Sequence, residues 1–301
     1  MVTGVCGFVG SHLVHRLVRE GARRVVVVDD LRHGRAEVVS GLGVEIVRIA
    51  LGSGDDAQAE LQRAMRGVEG VFHLAAEKHN VRRDEPERIR EANVTGTRAL
   101  LEGAARSGVR KVVFSSSLYV YGRDRGAPFD EDEAPREATV YGASKLEGER
   151  LVAAFPGDSC SLRYMFVYGP RLRGAHEEPS LVARTFERLA AGKAPIIYGD
   201  GQQALDYVFV DDVVDATLRA MERSATGALN VGSGAGVTVE DLVRRITRLC
   251  EKNVEPERAP SDATAGTSRV ARVERIAREL GWRATTTLDQ GLARVRDAMA
   301  R

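Results

Sequence analysis

Short apolar runs alternate with longer stretches of helical periodicity through the first half of the chain. The runs predict strands at Val25–Val28, Val44–Ile49, Val71–Leu74 and Val112–Phe114. Because these runs are almost continuously apolar, they are typical of strands that helices cover on both faces. The segments Ala57–Met65 and Ile89–Ala105 predict such helices. The alternation therefore predicts an α/β fold with a doubly wound parallel sheet.

The pattern loosens after about Cys160, where glycine and proline interrupt the chain, as in Tyr168-Gly-Pro-Arg171 and Tyr198-Gly-Asp-Gly201. We expect a first domain over residues 1–164. We expect residues 165–301 to form a smaller, mixed α/β lobe that binds substrate, with some segments returning to the first domain. The segment Arg123–Glu137 is charged and contains two prolines, so it predicts a solvated surface loop.

Composition excludes several classes of protein. The 301 residues carry 44 basic and 43 acidic side chains, a net charge of +1, which argues against a nucleic-acid-binding surface. No apolar stretch approaches the roughly 18 residues that span a bilayer, and no secretory leader is visible. The three cysteines are far apart and lack the spacing of a metal or redox site. We therefore expect a cytoplasmic protein with free thiols, no metal and no membrane association.

A glycine-rich turn lies at the start of the chain. Gly4, Gly7 and Gly10 follow a very short apolar segment and lead into Ser11-His-Leu-Val-His-Arg-Leu-Val, which has helical spacing. In this context glycines allow a sharp turn and a close approach to a pyrophosphate at the helix N-terminus. The spacing predicts a Rossmann dinucleotide site. Either the first strand is unusually short or a few residues precede Met1.

Asp29 ends the next predicted strand, about 20 residues after the glycine turn. A carboxylate there accepts hydrogen bonds from a ribose and repels the extra phosphate of NADP, so it favours NAD. Asp30 is the alternative, and both acids are also common turn formers.

Tyr141-Gly-Ala-Ser-Lys145 places a phenol and an ammonium four residues apart, hence on one helix face. A nearby positive charge favours the ionised phenol, which can then accept a proton from a hydroxyl while a hydride leaves. Upstream, Val112–Phe114 runs into Ser115, Ser116 and Ser117 at the ligand-binding end of the predicted sheet. Ser117 is the candidate to relay the proton. Ser115 and Ser116 are expected to end the strand and cap the next element.

Together these residues resemble the extended short-chain dehydrogenase/reductases, in particular the sugar-nucleotide epimerase/dehydratase group. The resemblance extends over nearly the whole chain and rests on these segments: Thr3–Gly10, His73–Ala76, Asn93–Thr97, Ser115–Gly122, Tyr141 with Lys145, Arg163–Pro170, Gly199–Gly201, Asp206–Asp212, Asn230–Gly232 and Leu280–Trp282.

The resemblance implies Ser117, Tyr141 and Lys145 as the catalytic residues and Asn93 as a residue that orients others. It implies a cofactor site of Gly4, Gly7, Phe8, Val9, Gly10, Asp29, Asp30, Leu31, Leu51, Leu74, Ala75, Ala76, Lys78, Asn93, Ser115, Tyr141, Lys145 and Tyr164. Candidate substrate contacts are Lys78, Ser117, Tyr141, Phe166, Arg171, Tyr198 and Arg269. His79, Arg82 and Arg83 are either substrate contacts or a solvated loop. The resemblance also implies a homodimer formed through the helices at residues 89–105 and 141–155.

Several positions depart from the family pattern. An asparagine and an arginine that usually contact the substrate diphosphate are replaced by Phe166 and Leu205. An adenine-contacting aspartate is replaced near Ala50 and Leu51, and a C-terminal acid is replaced by Arg272. Compensating charge is expected from Arg171, Arg173 or Arg269.

Leu118 and Tyr119 stand where the family's sugar dehydratases have an acid pair. Since leucine cannot transfer a proton, the sequence favours epimerisation of a nucleotide sugar at carbon 4, through a 4-keto sugar, with NAD as cofactor. Glu77-Lys-His79 resembles the dehydratases, so a dehydratase or decarboxylase is the alternative. A catalytically silent NAD-binding sensor is the third possibility.

Overall fold

The computed structural model describes residues 1–78, 85–122, 128–133, 135–136, 139–170, 180–261 and 266–299. The strands are β1 Val2–Thr3, β2 Val26–Asp29, β3 Glu45–Arg48, β4 Gly70–His73, β5 Lys111–Ser117, β6 Asp158–Tyr164, β7 Phe166–Tyr168, β8 Ile196–Tyr198, β9 Ala204–Phe209, β10 Gly227–Val231, β11 Gly236–Thr238, β12 Glu257–Ala259 and β13 Ser268–Arg269. The helices are α1 Phe8–Arg19, α2 Asp55–Ala64, α3 Pro86–Arg90, α4 Gly96–Arg106, α5 Val140–Ala153, α6 Leu181–Ala190, α7 Val210–Glu222, α8 Val239–Leu249, α9 Glu274–Leu280 and α10 Leu288–Met299.

Seven parallel strands form the large sheet, in the order β10-β6-β5-β4-β1-β2-β3. One face packs against α1, α7 and α9, and the other packs against α2, α4 and α5. Because both faces are covered, the strands are apolar along most of their length. The predicted doubly wound sheet is confirmed, and the four predicted strands lie within three residues of the observed bounds. β1 has only two residues, as the short apolar segment before Gly4 indicated.

A second set of strands forms the smaller part of the fold. β11, β9 and β13 form one sheet in that order, with β7 pairing to β9, and β12 pairs with β8. Apolar side chains of α6, α8 and α10 pack with these strands in a separate core. This part is mixed α/β, as expected for the C-terminal lobe. β10, from the C-terminal half of the chain, lies at the edge of the large sheet.

Two local expectations need correction. The predicted helix Ile89–Ala105 is α3 and α4 joined by a π-helical turn at Glu91–Thr95. The described part of the predicted solvated loop is partly buried, because Phe129 is 1% exposed, stacks on Tyr121 and forms a parallel bridge with Ala271. Burial of the apolar side chain of Phe129 stabilises the fold more than the charged neighbours favour exposure to water. The pattern of charges along the sequence alone did not reveal this.

Among the described residues, no helix combines the length and apolar character that crossing a membrane requires.

Candidate active site

A cleft of about 1540 Å³ lies at the carboxyl ends of the large sheet and extends to the smaller one. Residues of β2, β5 and β6 and the turns after β1, β3 and β4 line one part. Residues from β7, β8, β9 and β13 line the other part. The carboxyl ends of parallel strands are the usual ligand-binding edge of such a sheet, so the cleft is large enough and correctly placed for a dinucleotide beside a second ligand.

The glycine turn brings the backbone close to this cleft. Gly4 has φ of +71°, and a Cβ atom on it would lie 2.5 Å from the backbone nitrogen of Ala75. A Cβ on Gly10 would lie 2.3 Å from the carbonyl oxygen of Gly4. Only glycine fits either position. The turn therefore directs the positive end of α1 into the cleft, and a helix N-terminus of this kind is suited to binding a pyrophosphate.

Asp29 connects the glycine turn to the loop after β2. Its carboxylate accepts hydrogen bonds from the backbone N–H of Cys6 and of Leu31, both at 2.9 Å. Asp30 instead accepts from the N–H of Arg32 and pairs with that side chain at 3.2 Å. Both acids line the cleft, but only Asp29 is fixed against the glycine turn, which supports it as the ribose-binding acid.

The predicted catalytic residues converge where β5 meets α5. Thr139 caps the start of α5 by accepting a hydrogen bond from the N–H of Gly142 at 3.0 Å. Within this helix Tyr141 and Lys145 occupy successive turns on one face. The Nζ of Lys145 lies 5.8 Å from the centre of the Tyr141 ring and donates to the carbonyl oxygen of Ser115 at 2.8 Å. Ser117 lies two residues further along β5 and lines the same cleft. Phenol, ammonium and hydroxyl thus border one space.

Burial changes the acidity of the lysine. Removal from water lowers the pKa of Lys145 to about 7, with a further lowering from the charge of Lys78 and an opposing effect from Glu149. The charge that favours the phenolate is therefore present mainly below about pH 7 in this structure and declines as the pH rises. A negatively charged ligand near the ammonium would extend this range to higher pH.

Asn93 orients two elements of the site. Its Oδ1 accepts from the N–H of Glu77 at 2.7 Å, and its Nδ2 donates to the Glu77 carbonyl at 3.0 Å and to Ser144 Oγ at 2.9 Å. Ser144 in turn donates to the carbonyl oxygen of Tyr141. Asn93 therefore links the turn after β4 to the helix with the predicted catalytic tyrosine, and it lies behind the cleft lining. A single π-helical turn between α-helical segments, such as Glu91–Thr95, is frequent at functional sites.

Most of the other predicted site residues border the cleft. These are Gly7, Phe8, Val9, Leu51, Leu74, Ala76, Lys78, Phe166, Tyr198 and Arg269. Leu31 adopts φ of +60° in the loop after Asp29 and does not belong to the lining. Tyr164 borders the cleft, but its hydroxyl bonds to Thr217 Oγ1 at 2.7 Å in the core. Arg171, and with it His79, Arg82, Arg83 and Arg173, lies outside the described residues.

The expectation that Ser115 and Ser116 only cap the end of the strand is wrong. β5 continues through Ser117, so both residues lie within it. The carbonyl of Ser115 holds Lys145, and the hydroxyl of Ser116 donates to Glu149. The apolar run ends at Phe114, and hydrophobicity alone cannot show that strand pairing with β6 continues for three more residues.

Several cleft residues were not predicted from the sequence. Tyr119, His33 and Glu77 line the cleft, as do Gln203 and Tyr207 at the far side. Alternation along β9 could have indicated Leu205 and Tyr207, since alternate residues of a strand face the same side. The contact of His33 with Glu77 joins segments 44 residues apart, and no local pattern predicts it.

Comparisons with known proteins identify what this chain resembles. The UDP-glucose 4-epimerase of Mycolicibacterium smegmatis is 38% identical over 98% of this chain and 96% of that protein. A crystal structure of UDP-glucose 4-epimerase with UDP-glucose from Thermotoga maritima has a TM-score of 0.91 at 31% identity and covers 99% of this chain and 97% of that one. The Thermus thermophilus UDP-glucose 4-epimerase complex with NAD has a TM-score of 0.88 at 32% identity, covering 99% and 98%. The model of the NAD dependent epimerase/dehydratase family matches residues 1–232.

The chain belongs to that family. The resemblance to epimerase/dehydratase enzymes and the prediction of NAD as cofactor are therefore confirmed. The residues present also fit the cofactor. The backbone at Gly4 and Gly10 admits no side chain, α1 directs its positive end into the cleft, and the carboxylate of Asp29 lies beside the glycine turn in the cleft lining.

Proposed function

We propose that this protein is an NAD-dependent nucleotide-sugar epimerase that inverts carbon 4 of a hexose. The observation that carries the proposal is the placement of Tyr141, Lys145 and Ser117 around one space that is continuous with the glycine turn. The relatives named as UDP-glucose 4-epimerases support it.

When bound in this cleft, NAD would supply a group that can accept and donate a hydride. Lys145 stabilises the negative charge of the ionised Tyr141 phenol, whose oxygen accepts the proton of the sugar 4-hydroxyl. Ser117 donates a hydrogen bond to the sugar oxygen and orients it. The keto sugar then presents its other face before the proton and hydride return.

The acid pair of the family's dehydratases is replaced by Leu118 and Tyr119. Leu118 is 3% exposed and cannot donate a proton, and Tyr119 is the only other side chain at the acid-pair positions. A dehydratase needs a group that protonates the leaving hydroxyl. These two residues therefore favour inversion at one carbon over the dehydratase alternative.

Arg269 is our candidate for binding the substrate diphosphate. β13 pairs in parallel with β9, and the register places Arg269 directly beside Leu205. Neighbouring residues in register share one face of a sheet, so a guanidinium lies next to the position where the family pattern has its arginine. Arg269 is 2% exposed and lines the cleft, and among the described residues its Nε has no hydrogen-bond partner. A buried guanidinium of this kind fits an anionic ligand.

The central test is incubation with UDP-glucose and other nucleotide sugars, followed by NMR of the products. Inversion at carbon 4 is the expected result. A 4-keto-6-deoxy product would make the protein a dehydratase, and loss of carbon dioxide from a uronic acid would make it a decarboxylase. Tight binding of NAD without any conversion would indicate the sensor.

A substitution tests the role of Arg269. Arg269→Met should raise the KM for the nucleotide sugar about tenfold or more and weaken binding of UDP, because it removes a charged hydrogen-bond donor from the diphosphate. Arg272→Met is the matched control, since Arg272 is exposed and pairs with Asp130 at 3.5 Å. An unchanged KM in the Arg269 variant would refute this role.

We also propose that the protein forms a homodimer through the helices at residues 89–105 and 141–155, on the basis of the family resemblance alone. Light scattering should give twice the mass of the 32.7 kDa chain. A mass of one chain at micromolar concentration would contradict it.

A further inference from the structure

His33 and Glu77 make a contact between two loops that border the cofactor end of the cleft. The Nε2 of His33 donates to Glu77 Oε1 at 2.5 Å. His33 lies in the loop after β2, and Glu77 lies in the turn after β4. Since β1 lies between β2 and β4 in the sheet, the two loops flank the glycine turn from opposite sides.

Both loops also press against the glycine turn. A Cβ on Gly34 would lie 2.3 Å from the Cβ of Cys6, and the thiol of Cys6 donates to the carbonyl oxygen of Arg35. On the other side, the backbone of Gly4 lies against that of Ala75. The His33–Glu77 contact therefore joins the two loops, so that this contact and the two loops form a closed ring around the glycine turn, which receives the pyrophosphate.

Glu77 is held firmly on its side of this ring. It is 4% exposed, and Asn93 binds both its N–H and its carbonyl oxygen. The Nε of Arg88 lies 3.9 Å from its other carboxylate oxygen. His33 is more exposed, at 37% of its side chain. A fixed, buried acceptor and an exposed donor suit a contact that opens and closes.

We propose that the His33–Glu77 contact, together with Arg88, is a clasp that retains the dinucleotide in its cleft. The inference rests on the proposed function for its purpose. An epimerase regenerates NAD in every cycle, so cofactor exchange is not required. Loss of the reduced cofactor before the hydride returns would strand the keto sugar. The reaction therefore requires that these loops keep the dinucleotide bound between the two hydride transfers.

The clasp is tested by the rate at which bound NAD leaves the protein, which needs no sugar. His33→Ala and Glu77→Gln should each raise this rate about tenfold, since each removes one charge-assisted hydrogen bond. The double variant should release NAD no faster than the faster single variant, because both changes remove the same contact. His15→Asn is the matched control. His15 bonds to the carbonyl of Val38 at 2.8 Å near the same loop but away from the cleft, so its NAD release should stay within about twofold of the unchanged protein.

Release rates within about twofold of the unchanged protein in both single variants would overturn the clasp, as would fully additive effects in the double variant. The two proposals fail in different ways. If NAD release accelerates as expected but no nucleotide sugar is inverted, the clasp stands and the epimerase assignment fails. If inversion occurs, the His33→Ala protein should also lose activity during turnover and regain it when NAD is added. Stable activity without added NAD would count against the clasp alone.

Discussion

At the scale of single residues, the phenol of Tyr141 is the group on which the proposed chemistry depends. Tyr141→Phe should lower kcat by about 100-fold or more, because it removes the oxygen that accepts the proton of the sugar in the proposed mechanism. NAD binding should be little changed, since the glycine turn and Asp29 are untouched. Isothermal titration with NAD and an NMR assay of epimerisation give the two quantities. Full activity in this variant would contradict the mechanism.

His73 illustrates how a hydrogen-bond chain fixes the positions of protons. The N–H of Ala75 donates to Thr3 Oγ1 at 3.1 Å, and Thr97 Oγ1 donates to the carbonyl oxygen of Asn93 at 2.6 Å. Thr97 therefore has no proton left for His73, so Nε2 of His73 must donate to it at 2.8 Å. The Nδ1 of His73 then accepts from Thr3 at 2.8 Å. Both ring nitrogens are engaged only if the imidazole is neutral.

The hydrogen bonds around His73 predict how the free energy of unfolding depends on pH. Burial, with a smaller effect of the Lys145 charge, lowers the pKa of His73 from 6.5 to about 3. The folded protein thus binds this proton less readily than the unfolded chain. Its contribution to stability is complete above about pH 6.5 and is lost as the pH falls toward 3. His73→Leu should reduce the loss of unfolding free energy between pH 7 and pH 5 by about 2 kcal/mol. Urea titrations of both proteins at the two pH values measure this, and equal losses would refute it.

At the scale of elements, a buried ion pair holds α5 against the large sheet. Arg163 on β6 donates from Nε and Nη2 to the two carboxylate oxygens of Glu149, at 2.9 and 2.8 Å. Ser116 on β5 donates to the same carboxylate. Glu149 lies one turn after Lys145, so this pair sets the position of the helix that carries Tyr141 and Lys145, the proposed catalytic groups.

Glu149→Gln should lower the unfolding free energy by about 3 kcal/mol, because Arg163 would keep a buried charge without its counterion. Glu147→Gln is the control on the same helix. Glu147 pairs with Arg150 at the surface, and its loss should cost less than about 1 kcal/mol. Thermal or urea unfolding of the two variants decides the point. Similar losses of unfolding free energy in both variants would show that the buried pair stabilises the fold no more than the surface pair does.

The elements also show which features the sequence could predict. Strands near Val25, Val44, Val71 and Val112 were predictable because apolar runs of β-branched residues belong to buried parallel strands. The glycine turn and the Tyr141–Lys145 pair were predictable because their chemistry depends on local spacing. The Glu149–Arg163 pair, the His33–Glu77 contact and the register of Arg269 beside Leu205 were not. Each joins segments that only the folded topology brings together.

At the scale of the whole molecule, the C-terminal half supplies elements that complete the large sheet and cover one of its faces. β10 pairs with β6 through residues Gly227–Val231. α7 packs against α1 and the large sheet. The indole of Trp282 is 1% exposed and donates to the carbonyl oxygen of Asp212 on α7. The apolar face that α7 and Trp282 cover belongs to the sheet that carries the cofactor site.

This interdependence predicts that residues 1–164 do not fold on their own, although the expected domain boundary lies there. A chain ending at Tyr164 would leave β6 as an exposed edge strand and uncover the apolar side chains that now pack against Val213, Val214 and Leu218. Exposed edges and uncovered apolar faces favour aggregation over a stable fold. A two-dimensional NMR spectrum should show poor dispersion for this fragment, beside good dispersion for the full chain. A well-dispersed spectrum with cooperative unfolding would mean that the first domain is complete without its returning segments.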